Sequence, residues 1–160
     1  SASVNEKLLD FFKLTDGSYQ IVYATGSNHY KNVIDNIDNK EYIKVFERID
    51  GINVMINSTL LLCRAGATTI SEICALGMPS ILIPSPYVPN NHQYYNGKAL
   101  VDKDAAVMIE EKDLDSQTLN STINSLINDQ DRLNQMADNA RKLGNPHVLD
   151  DIIKAIENLC

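Results

Sequence analysis

The segment Arg64-Ala65-Gly66-Ala67-Thr68-Thr69-Ile70-Ser71-Glu72 sets small residues, two threonine hydroxyls and one carboxylate at a spacing suited to nucleotide chemistry. Small residues at 65 to 67 let another group approach the backbone closely. Thr68 or Thr69 is placed to cap a helix. The free N–H groups of that helix's first turn, with its dipole, make an anion site fit for a pyrophosphate. Glu72 follows about one turn later on the same face. A carboxylate there repels phosphate but accepts two hydrogen bonds from a ribose diol. The plainer alternative is a pair of capping residues with a glutamate that complements the dipole. A second loop, Pro84-Ser85-Pro86-Tyr87-Val88-Pro89-Asn90-Asn91-His92-Gln93, is stiffened by three prolines. It delivers Asn91, His92 and Gln93 to the start of a helix, where amide and imidazole groups can read sugar hydroxyls. A rigid turn with a capping Asn is the competing reading.

Alternating strands and helices must position these loops. Val4, Leu8, Leu9 and Phe12 share a helical face that ends near Asp16-Gly17. Strands are expected at Tyr19–Thr25 and Tyr42–Phe46, rich in β-branched and aromatic residues, at Leu60–Cys63 as a brief apolar run suited to a strand covered on both faces, and at Pro79–Pro84 and Ala105–Ile109. Between them fall helical stretches at Tyr30–Ile37, Ile52–Asn57, Ile70–Leu76 with Gly77 as C-cap, and Asn90–Val101. From Asp115 the pattern is helical to the end, broken near Asp129-Gln130 and at Gly144-Asn145-Pro146. This order predicts an α/β fold: a Rossmann-like parallel sheet with helices on both faces. Ligands in such sheets bind outside the carboxyl ends of the strands, where both loops lie. A helix opens the chain, whereas doubly wound domains usually open on a strand and a Gly-rich turn. Either the sheet is small or a first strand is missing from this sequence.

The 160 residues suffice for one buried core, and 1–160 reads as a single unit without repeats or linkers. Fourteen basic against 21 acidic residues give a net charge of −7, which argues against a nucleic-acid partner. No stretch nears the roughly 18 consecutive apolar residues of a spanning helix. Ser1 to Asn5 carry no basic region followed by an apolar core, so no signal peptide is expected within this stretch. Cys63, Cys74 and Cys160 show no metal-binding spacing, so no structural metal and no cofactor is expected. Cys63 and Cys74 read as small buried residues that suit a reducing cytoplasm. His29 and His147 read as surface or capping residues.

The run R-A-G-A-T-T-I-S-E-I-C-A-L-G-M-P-S-I-L-I-P-S-P-Y-V-P-N-N-H-Q, Arg64 to Gln93, closely resembles the donor-sugar signature of the MurG family. These are the peptidoglycan N-acetylglucosaminyltransferases, with the two-domain GT-B architecture. The resemblance extends through Tyr94–Val101, Ala105-Ala106, the C-terminal helices and the Ile43–Ile52 segment. It implies the C-terminal, donor-binding half of an inverting enzyme that moves N-acetylglucosamine from UDP-GlcNAc onto lipid I, giving lipid II. It implies a peripheral location on the cytoplasmic side of the bacterial cell membrane, and no metal. By position, Glu72 is similar to the family's ribose-binding glutamate, and Ile49 to the residue whose backbone pairs with uracil. Ala67, Thr68 and Thr69 match the loop that meets the diphosphate and sugar. Gln93 matches the second of two adjacent glutamines in many members, one of which reads the sugar hydroxyls, and His92 stands where the first would be. Arg64 matches an arginine near the donor. A Gly-rich loop and first strand are expected ahead of Ser1, and the acceptor site and base on an N-terminal domain. Two other readings remain: an enzyme like the UDP-GlcNAc 2-epimerases, or a stand-alone donor-binding subunit of a two-chain transferase.

Overall fold

The computed structural model describes residues 2–37 and 40–144. The elements run α1 (Ala2–Leu14), β1 (Ile21–Ala24), α2 (Ser27–Asn36), β2 (Ile43–Phe46), α3 (Gly51–Ile56), β3 (Leu61–Cys63) and α4 (Ala67–Leu76). Then follow β4 (Ser80–Leu82), a 3-10 turn (Pro89–Asn91), α5 (His92–Val101), β5 (Ala106–Met108), α6 (Ser116–Ile127) and α7 (Gln130–Leu143). Each expected strand forms, trimmed at its ends. The helix expected after Gly144, with His147 and Cys160, lies outside the described residues.

All strand pairs are parallel, as predicted, but they form two sheets. In one, β1 pairs with β2 from Ile21↔Ile43 to Ala24↔Phe46. In the other, β4 sits between β3 and β5, with Leu61↔Ser80 and Ser80↔Ala106 in register. The continuous sheet is interrupted because β1 and β3 do not hydrogen-bond to each other.

Two cores grow from this arrangement, and β4 separates them. Ile81 and Ile83 point into a core shared with Leu8, Phe11 and Phe12 of α1, Leu119 and Ile123 of α6, and Leu133 and Met136 of α7. Leu82, alternating to the other face, packs with Met55 of α3, Ile73 and Cys74 of α4, and Leu100 of α5. Each of these three β4-segment side chains is at most 2% exposed. Burying one contributes about 1.5–3 kcal/mol. Helices cover the β3–β4–β5 sheet on both faces.

The β1–β2 sheet departs from that expectation. Its residues alternate between covered and exposed, and Val22 and Phe46 remain 47% and 45% exposed on the open face. On the covered face Tyr23 packs edge-on against Phe12, ring centroids 5.3 Å apart, and donates its hydroxyl to Asn5 Oδ1 at 2.6 Å.

Helix termini follow side-chain chemistry. Asp115 caps α6 by accepting from the Thr118 N–H at 2.7 Å, and Asp129 caps α7 through the Arg132 N–H at 2.9 Å. Gly77 ends α4 in the left-handed conformation, φ 66°, as its type predicts.

Candidate functional site

Helix α4 begins one turn-position earlier than the threonines suggest. Its N-cap is Gly66, in extended backbone, with no side-chain cap hydrogen bond. Thr68 and Thr69 therefore lie inside the helix, which corrects their expected capping role. The first intrahelical bond runs from Ile70 N–H to Gly66 C=O at 2.9 Å. The amides of Ala67, Thr68 and Thr69 are left without an intrahelical acceptor. Among the described residues no atom lies within 4 Å of where a Cβ on Gly66 would stand, so the backbone at the N-cap is open on that side. Ala65, in contrast, is fully buried and belongs to the core rather than to any approach surface.

Glu72, one turn into α4, is half-buried and makes no hydrogen bond or ion pair among the described residues. Its charge reaches the Cys63 thiol at the end of β3. Burial, with that charge added, pushes Cys63 up to about 12. The thiol is protonated at neutral pH and is no nucleophile.

The second loop leaves β4 through the buried Ile83 and Pro84. Asn90 and Asn91 both adopt positive φ, 54° and 51°, a region Asn tolerates. Helix α5 therefore starts at His92, two residues later than expected, and Asn91 makes no side-chain cap. His92 is exposed, its Nδ1 2.9 Å from the Pro89 carbonyl oxygen. The Gln93 side-chain oxygen accepts the Ser85 N–H at 2.9 Å, which folds the loop back onto α5.

Arg64 joins the two loops. Its Nη1 lies 3.2 Å from both the Ile83 and the Pro84 carbonyl oxygens, and its Nη2 lies 2.6 Å from Glu111 Oε2. Asn96, on α5, donates to the Ala65 carbonyl at 3.1 Å and makes a second tie. Sequence reasoning missed Asn96 and Glu111. The signal for Asn96 was its place one turn after Gln93. For Glu111, distant in sequence, there was none. Burial pushes the Glu111 carboxyl up, but hydrogen bonds from Ser3 and Arg64 and the charges of Arg64 and Lys7 outweigh it, so the group stays below the ordinary glutamate range.

The carboxyl ends of β3, β4 and β5 thus bring Ala67, Thr68, Thr69, Glu72 and Gln93 onto loops that are hydrogen-bonded together. Ile49 comes from the other sheet, in the half-buried loop between β2 and α3. Asp50 beside it caps α3, and Met55 of α3 packs against the core of α4. No backbone group among the described residues engages the Ile49 peptide. His29 lies half-buried in the first turn of α2. A cavity of about 330 Å³ lies at the opposite ends of the strands, lined by Thr59, Gly77, Pro79, Gln130 and Arg141 among others. None of the candidate residues reaches it.

Known proteins share much of this sequence and its fold. The chain is 37% identical over 161 residues to the UDP-N-acetylglucosamine–N-acetylmuramyl-(pentapeptide) pyrophosphoryl-undecaprenol N-acetylglucosamine transferase of Pediococcus pentosaceus, covering 98% of this chain and 44% of that protein. It is 39% identical over 142 residues to the enzyme of the same name from Listeria welshimeri, covering 86% of this chain and 39% of the relative. The chain thus spans less than half the length of these curated relatives. The crystal structure of Acinetobacter baumannii MurG superposes with a TM-score of 0.87 at 23% identity, over 99% of this chain and 46% of that one. That likeness shows the fold, one half of a GT-B glycosyltransferase. The model of the glycosyltransferase family 28 C-terminal domain matches residues 2–152, and the chain belongs to that family.

Proposed function

We propose that this chain is the donor half of an inverting transferase that moves N-acetylglucosamine from UDP-GlcNAc onto lipid I, giving lipid II. The observation that carries the reading is the start of α4: three first-turn amides without an intrahelical acceptor, an N-cap glycine open on its Cβ side, and a Glu72 carboxylate one turn on that makes no hydrogen bond or ion pair among the described residues. The amides of Ala67, Thr68 and Thr69 bind the diphosphate. Glu72 accepts from the ribose hydroxyls, the Ile49 peptide pairs with the uracil edge, and His92 and Gln93 read the sugar.

The chemistry follows from charge. An acceptor hydroxyl attacks the anomeric carbon, and UDP departs with growing negative charge on its β-phosphate. Fixed dipoles aimed at that charge lower the barrier without reorganising. Helix α4 presents its positive end there. Glu72 takes no part in proton transfer, and the base that deprotonates the acceptor comes from another domain. The relatives' name describes transfer to a pyrophosphoryl-undecaprenol carrier, which supports a lipid-linked acceptor; a peripheral place on the cytoplasmic membrane face belongs to the same proposal. Among the described residues no helix is long and apolar enough to cross a membrane.

Glu72→Ala in the full-length protein is expected to raise the KM for UDP-GlcNAc about 10- to 100-fold, the worth of hydrogen bonds to a charged acceptor. Unchanged donor kinetics removes Glu72 from the site. Consumption of UDP-GlcNAc without any lipid acceptor points instead to epimerase-like elimination.

A further inference from the structure

Arg64 follows the carboxyl end of β3, just ahead of the α4 amides, a place suited to a cation that meets phosphate. Its bonding says otherwise. The guanidinium serves the Ile83 and Pro84 carbonyls with one nitrogen and the Glu111 carboxylate with another. Glu111 is only 7% exposed and follows β5. Its other oxygen accepts the Ser3 hydroxyl, and its main-chain carbonyl accepts the Lys7 ammonium, both from α1. One planar fork therefore ties together the ends of β3, β4 and β5, and Glu111 adds α1.

The pair's orientation points at one loop. Ile83 and Pro84 are the residues from which the sugar-side loop departs, and the very next amide, Ser85 N–H, holds the Gln93 side-chain oxygen. Fixing those two carbonyls fixes the anchor of Gln93. A buried ion pair gives little net stability against an apolar replacement, because desolvation offsets its Coulomb attraction. What such a pair supplies is placement.

We propose that Arg64 and Glu111 are a positioning pair for the sugar-reading loop, acting through Ser85 and Gln93, and that Arg64 does not itself bind the donor diphosphate. This rests on the donor-site reading above and deepens it. The α4 amides and Glu72 read UDP independently of the pair, whereas the extra affinity of UDP-GlcNAc over UDP passes through it.

The test is calorimetric titration of the full-length protein with UDP and with UDP-GlcNAc, for wild type, Arg64→Lys, Glu111→Gln and the double variant. Lysine keeps the charge but lacks the fork, and glutamine keeps the size of Glu111 but not its charge, so both are mild enough to fold. Each single variant and the double are expected to weaken UDP-GlcNAc by a similar factor, about tenfold, with UDP within about twofold of wild type. Loss of UDP binding in Arg64→Lys with Glu111→Gln silent overturns the proposal, since Arg64 then touches phosphate. Equal weakening of both ligands in all variants also overturns it, as general loosening, and so does no change in any variant. A wild type that binds neither ligand overturns the donor reading itself, and this inference with it.

Discussion

The β3–β4–β5 sheet and the β1–β2 sheet are both parallel, yet they are buried differently. In the first, successive side chains of the β4 segment enter two cores, and helices lie against both faces. In the second, one face packs on α1 while Val22 and Phe46 stay nearly half exposed. The groups proposed to meet phosphate, ribose and sugar ride on the doubly covered sheet. Only Ile49, proposed to meet uracil through its backbone, comes from the singly covered one. Loops rooted in a sheet packed on both sides keep their donors aimed, which matters most where charge develops. A base read through one peptide edge tolerates a looser mount.

The widest gap between the two sheets should appear on truncating a strand residue in each. Leu82→Ala empties a fully buried position and is expected to cost about 2–5 kcal/mol. Val22→Ala, on the open face, is expected to cost about 0.5 kcal/mol or less. Midpoints of denaturant unfolding measure both. Equal costs would mean that the open face of β1–β2 is covered in solution.

Glycines sharpen the contrast at a smaller scale. Gly26, after β1, and Gly77, after α4, both hold positive φ, 77° and 66°. A Cβ on Gly26 meets nothing within 4 Å, whereas one on Gly77 would stand 2.5 Å from the Arg141 side chain. Gly26→Ala is expected to cost about 1 kcal/mol, for the backbone alone. Gly77→Ala is expected to exceed it by up to about 1 kcal/mol, because Arg141 must also move. Gly77 lies at the end of α4 away from the proposed site, so nucleotide affinity should be unchanged in that variant.

What the sequence disclosed divides along similar physical lines. Strand and helix order was legible because the hydrophobic period switches cleanly, and Gly77 announced its left-handed cap. The 64–72 and 84–93 segments were legible as loops because small residues and prolines mark them. The start of α4 differs from the sequence expectation: Thr68 and Thr69 are good caps by type, but Gly66 adopts the extended cap conformation, which places both threonines inside the helix where their side chains do not serve as its N-cap. Helix α5 was begun two residues too early because positive φ at Asn90 and Asn91 leaves no periodic trace. The split into two sheets was invisible because pairing is a long-range property. So was Glu111, whose partner Arg64 belongs to a different strand.

The smallest expected effect concerns acid. Ser3, Arg64 and Lys7 hold the Glu111 carboxyl below its ordinary value in the folded chain. A group depressed in this way adds stability that is present above the unfolded pKa, near pH 4.3, and lost as pH falls through the folded one. Glu111→Gln cannot titrate, so its stability should fall less steeply than wild type across that acid window and run parallel to it at neutral pH. The two slopes can differ by at most one proton, about 1.4 kcal/mol per pH unit. Urea unfolding from pH 7 down to pH 3 reads the difference. Parallel curves throughout would mean the carboxylate gains nothing on folding, and the tie among the three strand ends would then be carried by the Arg64 contacts to Ile83 and Pro84 alone.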